Sequence, residues 1–154
     1  MKTRAKVIIS AMAVALAVMA GGVAPANAVS GYGYDGTDPS TGATNCVTGS
    51  TAIYPAPIRV GGTGASVGTM QVWYSPSCGT NWVRAYTGSS YTQVIKTSRR
   101  EPNTPPFTET ETDFGAGWSY SMQVYAPGAT CVHADTVILG PSGDFYAWAG
   151  VNLC

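Results

Sequence analysis

The sequence predicts a small all-β protein, an antiparallel sandwich or barrel tied by two disulfides. Three observations point there. Several segments alternate in polarity with a period of two, no stretch beyond the leader keeps a helical period, and Gly, Pro, Asn and Asp separate the alternating segments at regular spacing. The four cysteines are an even count, which supplies the crosslinks.

The leader comes first in the chain. Lys2, Arg4 and Lys6 precede an apolar run over residues 7–20, shorter than the ~20 residues a bilayer-spanning helix needs. Gly21 and Pro25 then break the run, and Ala26-Asn27-Ala28 is the small-x-small pattern that a signal peptidase reads. The expectation is a signal peptide over residues 1–28, cleavage after Ala28, and a secreted, extracellular bacterial protein with no membrane attachment afterwards. Losing the leader's cations leaves Arg59, Arg84, Lys96, Arg99 and Arg100 against eight carboxylates. A mildly acidic domain of this kind has no electrostatic footprint for nucleic acid. Residues 29–50, rich in Gly, Asp and Pro, are expected to be a flexible N-terminal segment, and residues 51–154 a single β domain.

Within that domain, residues 51–60 contain Pro55 and Pro57, so they form at best an edge strand. Residues 67–74 and 81–86 flank the turn SPSCGT and read as a hairpin; residues 91–97 are the next strand. The stretch 98–106 (SRREPNTPP) is charged and proline-rich, which predicts a surface loop. In residues 108–113, Glu109, Glu111 and Asp113 alternate with threonines, an acidic strand face suited to a solvated edge. Over residues 118–125, Trp118, Tyr120, Met122 and Val124 share one face, while Ser119, Ser121 and Gln123 share the other. Residues 131–139 and 145–153 flank GPSGD and form a closing hairpin. Centring its turn on Ser142 puts Cys131 opposite Leu153, one position short of Cys154, and a shift of one residue would align the two cysteines. Of the three possible connectivities this register favours Cys131 with Cys154 and leaves Cys46 with Cys78. Loop entropy, roughly 3.5 kcal/mol for either bridge, does not discriminate.

Two motifs carry a resemblance. YDGTDPSTGATNC, residues 34–46, followed by YSPSCGTNWVRAY, residues 74–86, resembles the YjfA-like family of small exported proteins of Gram-positive bacteria, whose domain has no known function. The resemblance implies the pairing of Cys46 with Cys78. It brings no catalytic or binding residue to carry over.

Catalytic chemistry finds little support. His133, the single histidine, shares a strand face with Asp135 and could be half of a hydrolytic triad, but no G-x-S-x-G motif presents a nucleophile, and an imidazole on a strand is usually structural. One histidine and four crosslinked cysteines cannot build a zinc site. Asp35 and Asp38 in YDGTDP are two carboxylates with calcium chemistry, in a context that more often builds Asx-turns; whether they take calcium is left open. No catalytic residue, metal or cofactor is therefore expected. Aromatic side chains are plentiful, too many to share one core, and Trp73, Trp82 and Trp148 are the candidate binding residues. The leading expectation is a non-catalytic extracellular binding or interaction module for cell-wall polysaccharide or a protein surface. One alternative is a secreted inhibitor of an extracellular hydrolase, docking through 98–106; another is a small hydrolase using the acidic strand or His133.

Overall fold

The structure is a computed structural model and describes residues 30–41, 45–88, 93–101 and 105–154. The leader and its cleavage site lie outside the described residues. After a short 3-10 helix, Gly31–Tyr34, come nine strands: β1 Thr51–Val60, β2 Ser66–Ser75, β3 Thr80–Thr87, β4 Gln93–Glu101, β5 Thr108–Asp113, β6 Gly117–Tyr120, β7 Val124–Tyr125, β8 Cys131–Leu139 and β9 Phe145–Leu153. They form one antiparallel sheet in the order β5-β4-β8-β9-β1-β2-β3-β6, with β7 also on β3, and the sheet curls until it is nearly closed into a barrel. The all-β expectation holds. Its two unpaired edges, β5 and β6, are joined by residues 114–116.

The period of two decides what fills the barrel. Ile58, Met70, Val72, Val83, Ala85, Val94, Ala134, Ile138 and Ala147 alternate inward from six strands and are buried together. Removing each larger aliphatic side chain from water contributes about 1.5–3 kcal/mol. Both expected hairpins are present: Val72 lies opposite Val83 in the first, and Ala134 opposite Val151 in the second. In the second, Val132 faces Leu153, so the register is displaced by one residue through an irregularity at Ile138/Leu139, and Cys131 reaches Cys154 with Cα atoms 4.1 Å apart. Cys46 bridges Cys78, Cα to Cα 5.8 Å. Two bridges with no free cysteine among the described residues belong to an oxidising environment.

Four sequence expectations need correction. Residues 51–60 are a ten-residue strand inside the sheet order, but β9 pairs only with Arg59 and Val60, so the stretch holding Pro55 and Pro57 has a partner on one side alone. Residues 98–101 are not loop: β4 runs to Glu101, paired with Cys131, and turns Ser98 and Arg100 into the barrel. A strand held between two neighbours continues while ladder bonds last, and each inward charge on it has a counter-charge, Lys96 with Asp113 and Arg100 with Asp35. The acidic β5 is an edge, yet its threonines face solvent while its carboxylates lean inward. Residues 117–125 are not one strand but break between β6 and β7, so the shared face is not kept: Val124 is fully buried with Ser121 and Gln123 while Trp118 and Tyr120 are exposed. Gln123 is accommodated because Thr80 Oγ1 donates to its Oε1 at 2.7 Å and its Nε2 donates to Thr37 Oγ1 at 2.8 Å.

That last contact belongs to a strap, residues 34–41 and 45–47, which crosses the outer face of the sheet beside Trp82. Gly36 N donates to Gln123 O, and Gln123 N donates to Thr37 O, so the strap is laddered to the chain before β7. Arg100 fixes its start through the Asp35 carboxylate, and the Cys46–Cys78 bridge fixes its end.

Candidate functional site

On the outside of β2, β3 and β6 the same alternation lines up a different set of side chains. Trp73 lies opposite Trp82, Gln71 opposite Arg84, and Arg84 and Tyr86 opposite Tyr120 and Trp118. Trp73 and Trp82 stack with centroids 6.2 Å apart, and Tyr86 tilts against Trp118 at 5.3 Å. Gln71 Oε1 accepts the indole N–H of Trp73 at 2.9 Å, which fixes that ring. The strap passes over Trp82, leaving it 2% exposed, and walls a cleft of about 260 Å³ with Pro39, Ser40 and Val47. Trp73, Trp82, Arg84 and Tyr120 form the rest of the lining.

Arg84 sits at the centre. Its guanidinium carbon lies 4.8 Å from the ring centroids of both Trp73 and Trp118, within cation–π range of each. Beside the strap's lining residues stands the Asp38 carboxylate, bonded from Ser40 N and Oγ at 2.7 Å each and from Tyr120 O–H at 3.3 Å. Burial alone would lift the Asp38 carboxyl; the bonds from Ser40 and Tyr120 outweigh it and hold the group below its ordinary value near 3.8. The cleft thus brings together flat rings, one cation and a polar rim.

Of the three tryptophans singled out in the sequence, the structure brings Trp73 and Trp82 together and sets Trp148 apart. Trp82 is a floor under Trp73 and offers no free ring face. Trp148 stands opposite Arg59 where β1 leaves β9, in a second cleft with Pro57 and Phe145, and its indole lies so close over Gly150 that a Cβ there would enter the ring. Sequence reasoning missed Arg84, Tyr86, Trp118 and Tyr120 as site residues. The alternation over 118–125 showed that Trp118 and Tyr120 share a face; only the polar residues across from them, matched to Thr37 and Thr80, show that this face is outward.

The other candidates resolve into local pairs. His133 Nε2 lies 3.3 Å from Asp135 Oδ2, and its Nδ1 faces Asn152 Oδ1 at 2.5 Å, where a triad would need a hydroxyl. Burial raises the Asp135 carboxyl above its ordinary range, against the opposing pull of His133 and Arg99. Asp35 accepts from Arg100 and from the Tyr125 amide, at 2.7 Å for the latter. Among the described residues no group of three His, Cys, Asp or Glu side chains is placed to hold a metal, and no helix is long and apolar enough to cross a membrane. Compared with family models, curated proteins and solved structures, the chain matches none.

Proposed function

We propose that the chain is a secreted, non-catalytic carbohydrate-binding module, exported by its leader and engaging cell-wall polysaccharide through the outer face of β2, β3 and β6. One observation carries the reading: Trp118, 49% exposed, continues with exposed Tyr86 and Tyr120 into a single aromatic row beside the Trp73 cleft. Sugar rings present flat C–H faces that stack on such rows, and a rigid sheet holds the rings in place without an ordering cost on binding. The resemblance to exported YjfA-like proteins, resting on two motifs, agrees with action outside the cell. Of the stretch 98–106 through which the inhibitor alternative would dock, Ser98 and Arg100 face the barrel interior and Glu101 is paired in the ladder, Pro105 and Pro106 are exposed, and 102–104 lie outside the described residues.

The test is retention of the secreted protein on insoluble peptidoglycan and other wall polymers. Trp73→Ala and Trp118→Ala should each weaken retention about tenfold, equivalent to ~1.4 kcal/mol, while Trp148→Ala should leave it unchanged. Equal retention of all three variants and the parent would refute this placement of the site.

A further inference from the structure

We infer that Arg84 is a carboxylate receptor, so that the polysaccharide taken by this face is an acidic one built from carboxylated sugars; the inference rests on the glycan reading above. Five cations lie among the described residues, and four of them bond to oxygen. Arg59 donates to Gly64 O, Lys96 to Asp113, Arg99 to Glu101, and Arg100 to Asp35. Arg84 alone among the described residues has neither a hydrogen-bond acceptor nor an ion-pair partner; its contacts are the faces of Trp73 and Trp118.

The physical consequence follows from what stacking uses and what it spares. Contact with two indoles restrains the guanidinium, and none of its N–H groups has an acceptor among the described residues. A planar fork in that state has already lost its rotamer freedom, so a ligand gains the hydrogen bonds without ordering the side chain. The apolar lining of the cleft strengthens a charge-assisted bond relative to open water. The Asp38 carboxylate of the strap is bonded by Ser40 and Tyr120 and makes no ion pair with Arg84.

A carboxylate presents two coplanar oxygens at the spacing of the guanidinium fork. A sugar ring carrying that carboxylate would have Trp118 and Tyr120 within reach for stacking, with Glu111 and the Lys96-paired Asp113 lining the depression on their far side. A polyol-phosphate chain also offers paired oxygens but has no flat ring face for the aromatic row, which favours the uronate-type ligand. Because the exported domain carries more carboxylates than cations, the attraction is local to this fork and is not a general affinity for polyanions.

The secreted protein is titrated with oligogalacturonate, with neutral galacto-oligosaccharide of equal length, with methyl-esterified oligogalacturonate and with poly(glycerol phosphate). The wild type should bind oligogalacturonate about tenfold more tightly than the neutral chain, and esterification should remove that margin. Arg84→Gln should reduce acidic binding to the neutral level, and Arg84→Lys should recover part of it, since an ammonium restores charge without the fork. Equal affinity for acidic, esterified and neutral chains overturns the carboxylate assignment while the glycan reading stands. Preference for the phosphate polymer overturns the assignment too, and absence of binding to every probe overturns both. The esterified probe acts on the unaltered protein, so the decision does not depend on the variants folding.

Discussion

Replacing Asp35 by Ala should cost the fold about 3–5 kcal/mol, the range for removing one member of a buried ion pair. The structure sets that magnitude. The Arg100 side chain is 2% exposed and Asp35 9% exposed; Arg100 Nη1 and Nη2 each approach Asp35 Oδ2 at 3.0 Å, and Nη1 also reaches Oδ1 at 3.1 Å. The rest of the guanidinium is used up on Pro105 O and Tyr125 O, and its face lies 4.7 Å from the Tyr32 ring centroid, so no water replaces a lost carboxylate cheaply. The Tyr125 amide loses its acceptor in the same stroke. For a domain of this size each kcal/mol moves the melting temperature by roughly 4 °C, which puts the expected fall at roughly 12–20 °C by circular dichroism. Asp35→Asn keeps an acceptor oxygen for Tyr125 and should lose less. The double variant Asp35→Leu with Arg100→Met removes both charges and should recover at least half of the Asp35→Ala loss, because apolar pairs of similar volume replace buried ion pairs at little net cost. A fall under roughly 3 °C for Asp35→Ala, or a double variant as unstable as the summed single changes, would refute the view that this pair is dry and holds the strap.

Two further outcomes follow from packing and titration. Gly68→Ala would push a Cβ into the Tyr86 carbonyl and to 3.2 Å from Ile58 Cδ1, between paired strands that cannot part, so a loss of about 2–3 kcal/mol is expected in urea unfolding; an unchanged midpoint would contradict the register. Glu109 has its carboxyl raised above the usual value near 4.5, by burial first and by Glu111 second. A raised acid stabilises the fold below its unfolded pKa, and that contribution is lost as pH climbs through the folded value. Glu109→Gln should therefore match the parent near pH 4 and melt above it near pH 7, in roughly that window; a flat difference across the series would remove the argument.

How far the sequence could be read depended on where each residue finds its partner. The hairpins Ser66–Thr87 and Cys131–Leu153 were legible because alternation and turn residues are local, and so was the Cys131–Cys154 bridge, which the hairpin register delivers within one residue. Alternation also marked the shared face of Trp118 and Tyr120, but it cannot say which of two faces points inward. Here Gln123 and Ser121 turn in because they meet partners from the strap and β3, and Val124 is buried beside them because the strand breaks after Tyr120. Arg100 read as loop for the same reason: its carboxylate lies 65 residues back along the chain. Trp73 was legible as a binding candidate from residue type alone. Arg84 was not, since its significance comes from being gripped by Trp73 on one strand and Trp118 on another.

The parting of β1 from β9 has a consequence for how the molecule behaves in crowds of its own kind. Above Arg59 the two strands diverge, and Thr51–Ile58 presents a raw backbone rim of the sort that templates fibres. Pro55 and Pro57 strip two donors from that rim, so a visiting strand meets gaps where it needs a continuous ladder. The prolines that demote this strand on paper thus break up a rim of the barrel wall on which a second chain could extend the ladder.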